Sequence, residues 1–191
     1  MTVQHTTYDS IAVVTLDDGR VNAVNETLCE SLTQELSQVC GHSAVVLTGR
    51  PHIFSAGLDL HALCGISKED AHTLFLAMSA SMEAVLTFPR PIVVACSGHA
   101  VGAGAVLILA CDERIGGSSG KLHINATRLG IPYPTAALEI VEMALGKAVA
   151  QRTLLLGEPV TGSCRQRLGW LHDVVPDAQI RDIAIEKANT V

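Results

Sequence analysis

The residues with the most chemical consequence are the glycines Gly98, Gly102 and Gly104, set in the run Ile92–Cys111, IVVACSGHAVGAGAVLILAC. Ile92, Val93 and Val94 have the β-branched composition of a buried strand, and the small apolar residues after Gly104 suit a helix. A strand that turns through glycines into a helix leaves the first-turn N–H groups without partners, carrying partial positive charge. Such groups hold anions. A second glycine turn, Phe54-Ser55-Ala56-Gly57-Leu58-Asp59-Leu60, follows another strand-like run, Ala44-Val45-Val46-Leu47-Thr48. Two turns that each present free amides are what an oxyanion hole requires.

The elements that must position these turns read as alternating strands and helices. Ile11–Leu16 is a strand, Asp17-Asp18-Gly19-Arg20 a turn, and Val21–Val24 a short extended piece before a helix capped by Asn25. Leu28, Leu32, Leu36 and Val39 fall on one face of that helix. Ala44–Thr48 is wholly apolar, so covered on both faces. A short helix from Asp59 ends near Cys64-Gly65. Ser67 then opens a long helix, with Asp70 at the reciprocal capping position. Its buried face comprises Leu74, Met78, Met82, Val85 and Leu86, and Pro89 and Pro91 end it. Beyond Cys111 come extended pieces at Glu113–Gly116 and Lys121–Ile124, then helices at Thr135–Leu145, Lys147–Leu156 and Ser163–Gly169. A strand at Leu171–Val175 and a helix at Asp177–Asn189 complete an α/β succession.

Composition narrows the function. The 191 residues are 48% hydrophobic and only 3% aromatic, which predicts one domain with an aliphatic core. A formal net charge of −6 argues against a nucleic-acid surface. No apolar run reaches the roughly 20 residues of a membrane span, and MTVQHTTYDS lacks the pattern of a signal peptide. The six cysteines show no paired spacing and read as small hydrophobes of a cytoplasmic protein. His61 and Cys64 alone make a weak metal signal. No GxGxxG, GxSxG or GxxxxGK occurs.

Taken in register, the motifs resemble the enoyl-CoA hydratase/isomerase (crotonase) superfamily. They are Arg20-Val21-Asn22-Ala23-Val24-Asn25, Val45–Gly49, FSAGLDL, Arg90–Ala95, GHAVGAGAVLILACDERI, Leu129-Gly130-Ile131-Pro132, Leu154–Gly157, and Leu168-Gly169-Trp170 before Val174-Val175-Pro176. The resemblance implies a spiral of ββα turns forming two roughly perpendicular sheets wrapped by helices. It implies an acyl-CoA ligand, with coenzyme A entering as part of the substrate and no separate cofactor, and a homotrimer or dimer of trimers. The amides of Leu58 and Ala103 are then the two donors to the thioester oxygen. Ala23, Ala56, Asp59, Leu60 and Gly102 are the implied substrate contacts. Arg20 and Arg50 are near enough in sequence to meet phosphates, or are ordinary surface arginines.

Two departures qualify the resemblance. Family hydratases carry two glutamates over the substrate; here those positions are Val106 and Ala126. Asn125-Ala126-Thr127 looks like the isomerase branch with its base removed. His99, His123, Tyr133 and Glu139 fall in segments that border the family's acyl pocket, and the sequence assigns none of them as a base. The second departure is that residues 1–191 match one crotonase-like domain without the family's longer C-terminal helices. The expected function is therefore processing of an acyl-CoA thioester through two backbone amides with a non-standard or missing acid/base. The alternative is an acyl-CoA-binding protein without catalysis.

Overall fold

The computed structural model describes residues 2–191. A six-stranded sheet organises it, built from β1 (Val3–Tyr8), β2 (Ile11–Leu16), β4 (Ala44–Thr48), β7 (Ile92–Cys96), β9 (Glu113–Gly117) and β11 (Asp173–Val175), in that spatial order. β1 joins β2 antiparallel, and every other pairing in the sheet is parallel. A three-stranded sheet is formed by β5 (His52–Ser55), β8 (Gly98–Val101) and β10 (Leu122–His123), with β8 in the middle. β3 (Ala23–Val24) and β6 (Gly57–Leu58) form a parallel pair. The helices are α1 (Glu26–Gln38), α2 (Leu60–Leu63), α3 (Lys68–Leu86), α4 (Ala103–Leu109), α5 (Thr135–Leu145), α6 (Lys147–Leu156), α7 (Cys164–Arg167) and α8 (Ile180–Ala188). The mixed α/β class agrees with the sequence reading. The strands outside the large sheet are hydrogen-bonded as separate groups of three and two.

Alternation along the parallel strands divides the core. Ala12, Val14, Val45, Leu47, Ile92 and Val94 point to one face, where α1, α3, α4 and α5 pack. Ile11, Val13, Ala44, Val46, Val93 and Ala95 point to the other, covered by Ile180, Ala184 and Ala188 of α8. Strands buried on both faces must be apolar at consecutive positions, which is why these runs are aliphatic apart from Thr15 and Thr48.

The helix starts follow the predicted caps. Leu28 N donates to the Asn25 side chain at 2.9 Å. Asp70 N donates to Ser67 Oγ at 3.0 Å, and that hydroxyl reaches the Asp70 carboxylate at 2.9 Å. Leu28, Leu32, Leu36, Val39, Leu74, Met78, Met82 and Val85 are buried as expected. Leu86 is not: at 38% exposed it sits on the last turn of α3, past the edge of the surface the helix packs on. The β10 and β11 strands and α7 are shorter than the periodicity suggested. No helix among the described residues is long and apolar enough to cross a membrane.

Gly98 holds the second sheet together by having no side chain. A Cβ there would lie 2.6 Å from His52 Cα on β5. Both strands must then move apart, and overpacking of this kind costs about 1–3 kcal/mol. Gly98→Ala is expected to lower the urea midpoint with an unchanged slope, measured by circular dichroism.

Candidate functional site

The two glycine turns meet. β5 ends at Ser55, and Ala56 N donates to Val21 O at 2.9 Å, stitching the turn to the 17–23 loop. Gly57, at φ +81°, redirects the chain into β6. Asp59 N donates to Val24 O at 3.0 Å. Successive amides along a strand point to opposite edges, so the Leu58 N–H faces away from β3. On the other side, β8 runs into Gly102, whose N–H donates to His123 O at 2.6 Å and whose φ is +52°. α4 starts at the next residue. Ala105 and Val106 donate back to Gly102 O at 3.1 Å, while the Ala103 N–H, in the first turn, has no acceptor among the described residues. A Cβ on Gly102 would stand 3.9 Å from Gly57 Cα and 4.0 Å from Leu58 N. The turns are therefore in close contact, with Leu58 N beside the start of α4.

Both turns wall one apolar cavity. Leu58, Gly102 and Ala103 line it, with Ala56 and Leu60 beside them. Val106 from α4 and Ala126 from the 3₁₀ turn Ala126–Leu129 also line it. Phe75, Met78 and Met82 of α3 and Ile131, Pro132 and Tyr133 complete the wall. The helical periodicity had placed the two methionines in the core, but it carries no information about which core residues border a cavity.

Among the described residues, no Asp, Glu, His, Lys, Arg or Cys lines the cavity, and Asn125 and Tyr133 supply its polar side chains. The Tyr133 hydroxyl is engaged. It accepts from Thr127 N at 3.3 Å and Thr127 Oγ1 at 3.1 Å, and donates to Leu154 O at 3.3 Å. The other groups considered from sequence lie outside the lining. His99 is exposed, and its Nδ1 accepts from Lys121 N at 3.2 Å. His123 Nε2 is 2.8 Å from Gly157 O. Glu139 and Glu142 are exposed on α5. Burial pushes the Cys96 thiol up to about 11 and Cys111 higher still, so neither offers a thiolate at neutral pH.

Two of the implied substrate contacts stand apart from the cavity. Ala23 is paired with Gly57 in the β3–β6 ladder. The Asp59 carboxylate caps α2, accepting from His61 N at 3.0 Å and Ala62 N at 3.2 Å. Arg50 is also committed: Nε is 3.1 Å from Asp17 and Nη1 donates to Arg20 O at 2.6 Å, so it braces the 17–23 loop. Arg20 is exposed.

The same loop is held by Asp18, which accepts from Arg20 N at 2.7 Å and Ala23 N at 3.2 Å. Burial works to raise the Asp18 carboxyl. Hydrogen bonds from the amides of Asn22, Arg20 and Ala23, and the Arg50 charge, outweigh it and hold the carboxyl below its ordinary value of 3.8. A carboxylate depressed in the folded state contributes stability above its unfolded pKa and loses it as pH falls through the folded one. Stability is therefore expected to decline below about pH 4, and Asp18→Asn should flatten that decline in urea melts compared at about pH 6 and pH 3.

Comparison with known proteins agrees with the fold. A family model described as enoyl-CoA hydratase/isomerase matches residues 6–191. A putative enoyl-CoA hydratase of Thermus thermophilus is 32% identical over 188 residues, covering 95% of this chain and 72% of the relative. The 2,3-dehydroadipyl-CoA hydratase of Escherichia coli is 29% identical over 171 residues, covering 88% and 66%. Among solved structures, an apo enoyl-CoA isomerase of Mycobacterium tuberculosis superposes with a TM-score of 0.92 at 29% identity, covering 99% of this chain and 83% of that one. An enoyl-CoA hydratase from Bacillus anthracis gives 0.93 at 26% identity, covering 100% and 76%. The match spans 66% of the Escherichia coli relative and 63% of a probable enoyl-CoA hydratase from Bacillus subtilis.

Proposed function

The chain belongs to the enoyl-CoA hydratase/isomerase family, and from that premise we propose that it binds an acyl-CoA thioester in the apolar cavity and polarises its carbonyl through the amides of Leu58 and Ala103. The supporting observation is that two turns far apart in sequence abut one another and line one cavity. Preorganised donors of this kind act where charge develops on the thioester oxygen, and each is typically worth about 10²–10³ in rate. Coenzyme A arrives as part of the substrate.

The lining decides which chemistry follows. Hydration and double-bond migration both need a side chain to take or give a proton, and the positions that would carry one are Val106 and Ala126. An enolate can form here without a protein base if the substrate carries its own leaving group. In a 2-carboxyacyl thioester the bond from Cα to the carboxylate breaks and carbon dioxide leaves. The electron pair enters the enolate held by the two amides, and Cα then takes a proton from water. An apolar wall favours this step by stripping water from the carboxylate. The same absence of ionisable groups from the lining supports a second reading, retention of an acyl-CoA without turnover.

A panel of thioesters tests both readings. Calorimetry with butyryl-CoA, crotonyl-CoA and malonyl-CoA should show binding, and gas or isotope assays should show carbon dioxide released from malonyl-CoA faster than in buffer. Binding without any product favours the second reading. No binding to any of the three overturns both.

A further inference from the structure

Ser55 is fully buried, lies outside the cavity lining, and touches both arms of the proposed carbonyl clasp. Its hydroxyl accepts from Gly57 N at 3.1 Å, the amide next to Leu58, and donates to Asn22 O at 2.6 Å. A serine hydroxyl has one proton to give, so the bond to Asn22 fixes its orientation and leaves a lone pair for Gly57. Asn22 is itself immobilised: it is fully buried at φ +52°, its Nδ2 donates to Leu16 O at 2.8 Å and Phe54 O at 3.0 Å, and its Oδ1 accepts from Asp18 N at 3.0 Å. The opposite flank of Ser55 lies against α4. A Cβ on Gly104 would stand 2.6 Å from Ser55 Oγ, so the backbone next to Ala103 rests directly on this side chain.

We infer that Ser55 is a positioning residue that sets the separation and mutual orientation of the Leu58 and Ala103 amides, through its hydrogen bond to Gly57 on one side and its contact with Gly104 on the other. This rests on the proposed carbonyl clasp. Alanine removes the acceptor for Gly57 and the donor for Asn22, releasing one arm while leaving the cavity wall intact. Cysteine fills the space with a larger, weaker hydrogen-bonding atom and presses on Gly104. The effect belongs on the carbonyl rather than on affinity, because most of the ligand touches neither arm.

The test uses butyryl-CoA labelled with carbon-13 at the thioester carbonyl. Infrared difference spectra report the carbonyl stretch, with affinity from calorimetry in parallel. In the unmodified chain the band should move to lower wavenumber on binding. In Ser55→Ala that displacement should fall by at least half while affinity stays within about threefold, and Ser55→Cys should lie between the two. If Ser55→Ala does not fold, Gly104→Ala presses on the same contact from α4 and should show the same reduced displacement. A full displacement in a folded variant that merely melts at lower temperature makes Ser55 structural only and overturns the inference, leaving the clasp standing. No displacement in the unmodified chain overturns the clasp and this inference together.

Discussion

Ala126→Glu is expected to raise the rate of double-bond migration in a 3-enoyl-CoA by about 10²–10⁴ over the unmodified chain, the usual contribution of a positioned acid/base group. Residue 126 opens the 3₁₀ turn Ala126–Leu129, held by Arg128 N to Asn125 O at 3.0 Å and Ile131 N to Ala126 O at 3.0 Å, and it lines the cavity. A carboxylate there enters surroundings of Val106, Ile124 and Ile131. Desolvation raises its pKa toward neutrality, which is where a general base works best. Val106→Glu is the comparator. Val106 is buried on α4, so a carboxylate there is harder to solvate and the cost in stability is larger. The assay follows conjugation of the enoyl thioester by ultraviolet absorbance. An Ala126→Glu variant that folds and binds thioester but gains no rate would show that the 58/103 clasp does not address the substrate α-carbon from this side.

Gly57→Ala is expected to abolish carbonyl polarisation. Gly57 sits at φ +81°, and a Cβ would lie 2.9 Å from the Val101 carbonyl carbon. The left-handed backbone alone costs a non-glycine residue about 1–2 kcal/mol. The collision adds a displacement of β6 away from Gly102, which moves the Leu58 amide off the oxygen it is proposed to share with Ala103. Whatever turnover the chain has should fall by about 10²–10³, the usual loss for one oxyanion donor. Gly65→Ala and Gly130→Ala separate the two effects. Both glycines have positive φ, +76° and +67°, with nothing within 4 Å of the Cβ position. These variants should lose stability alone, read in thermal melts, with thioester binding intact.

Much of this architecture was legible where local chemistry decides structure. Asn25 and Ser67 cap because their side chains satisfy amides within three residues. The runs 11–16, 44–48 and 92–96 are strands because aliphatic and β-branched residues fill them, with Thr15 and Thr48 the polar exceptions. The glycine turns were legible because positive φ and close backbone approach leave few other residues. What sequence did not reveal depends on distant partners. Val3–Tyr8 carries polar residues on most positions, since it is a sheet edge exposed along much of its length, and nothing local marks it as a strand. The strands His52–Ser55 and Gly98–Val101 read as parts of turns because their pairing is with each other. Ser55 looks like an ordinary turn residue and Asn22 like part of a short extended piece; their importance lies in a hydrogen bond that spans 33 positions of chain. His123 and Glu139 sit near the right segments but on the wrong side of them, a matter of side-chain direction that spacing cannot report.

The parallel pairing in both the six-stranded and the three-stranded sheet also governs when the site can exist. Each parallel pairing needs a crossover connection, so contacts between distant segments must form before neighbouring strands can join. The cleft is complete only after β8 has docked on β5 and α4 has seated behind it. A thioester with affinity only for the finished fold acts by mass action on the whole folding equilibrium, adding about 2.7 kcal/mol when present at 100 times its dissociation constant. If the proposed binding holds, ligand supply sets how much of this polypeptide survives proteolysis, coupling its abundance to the thioester pool.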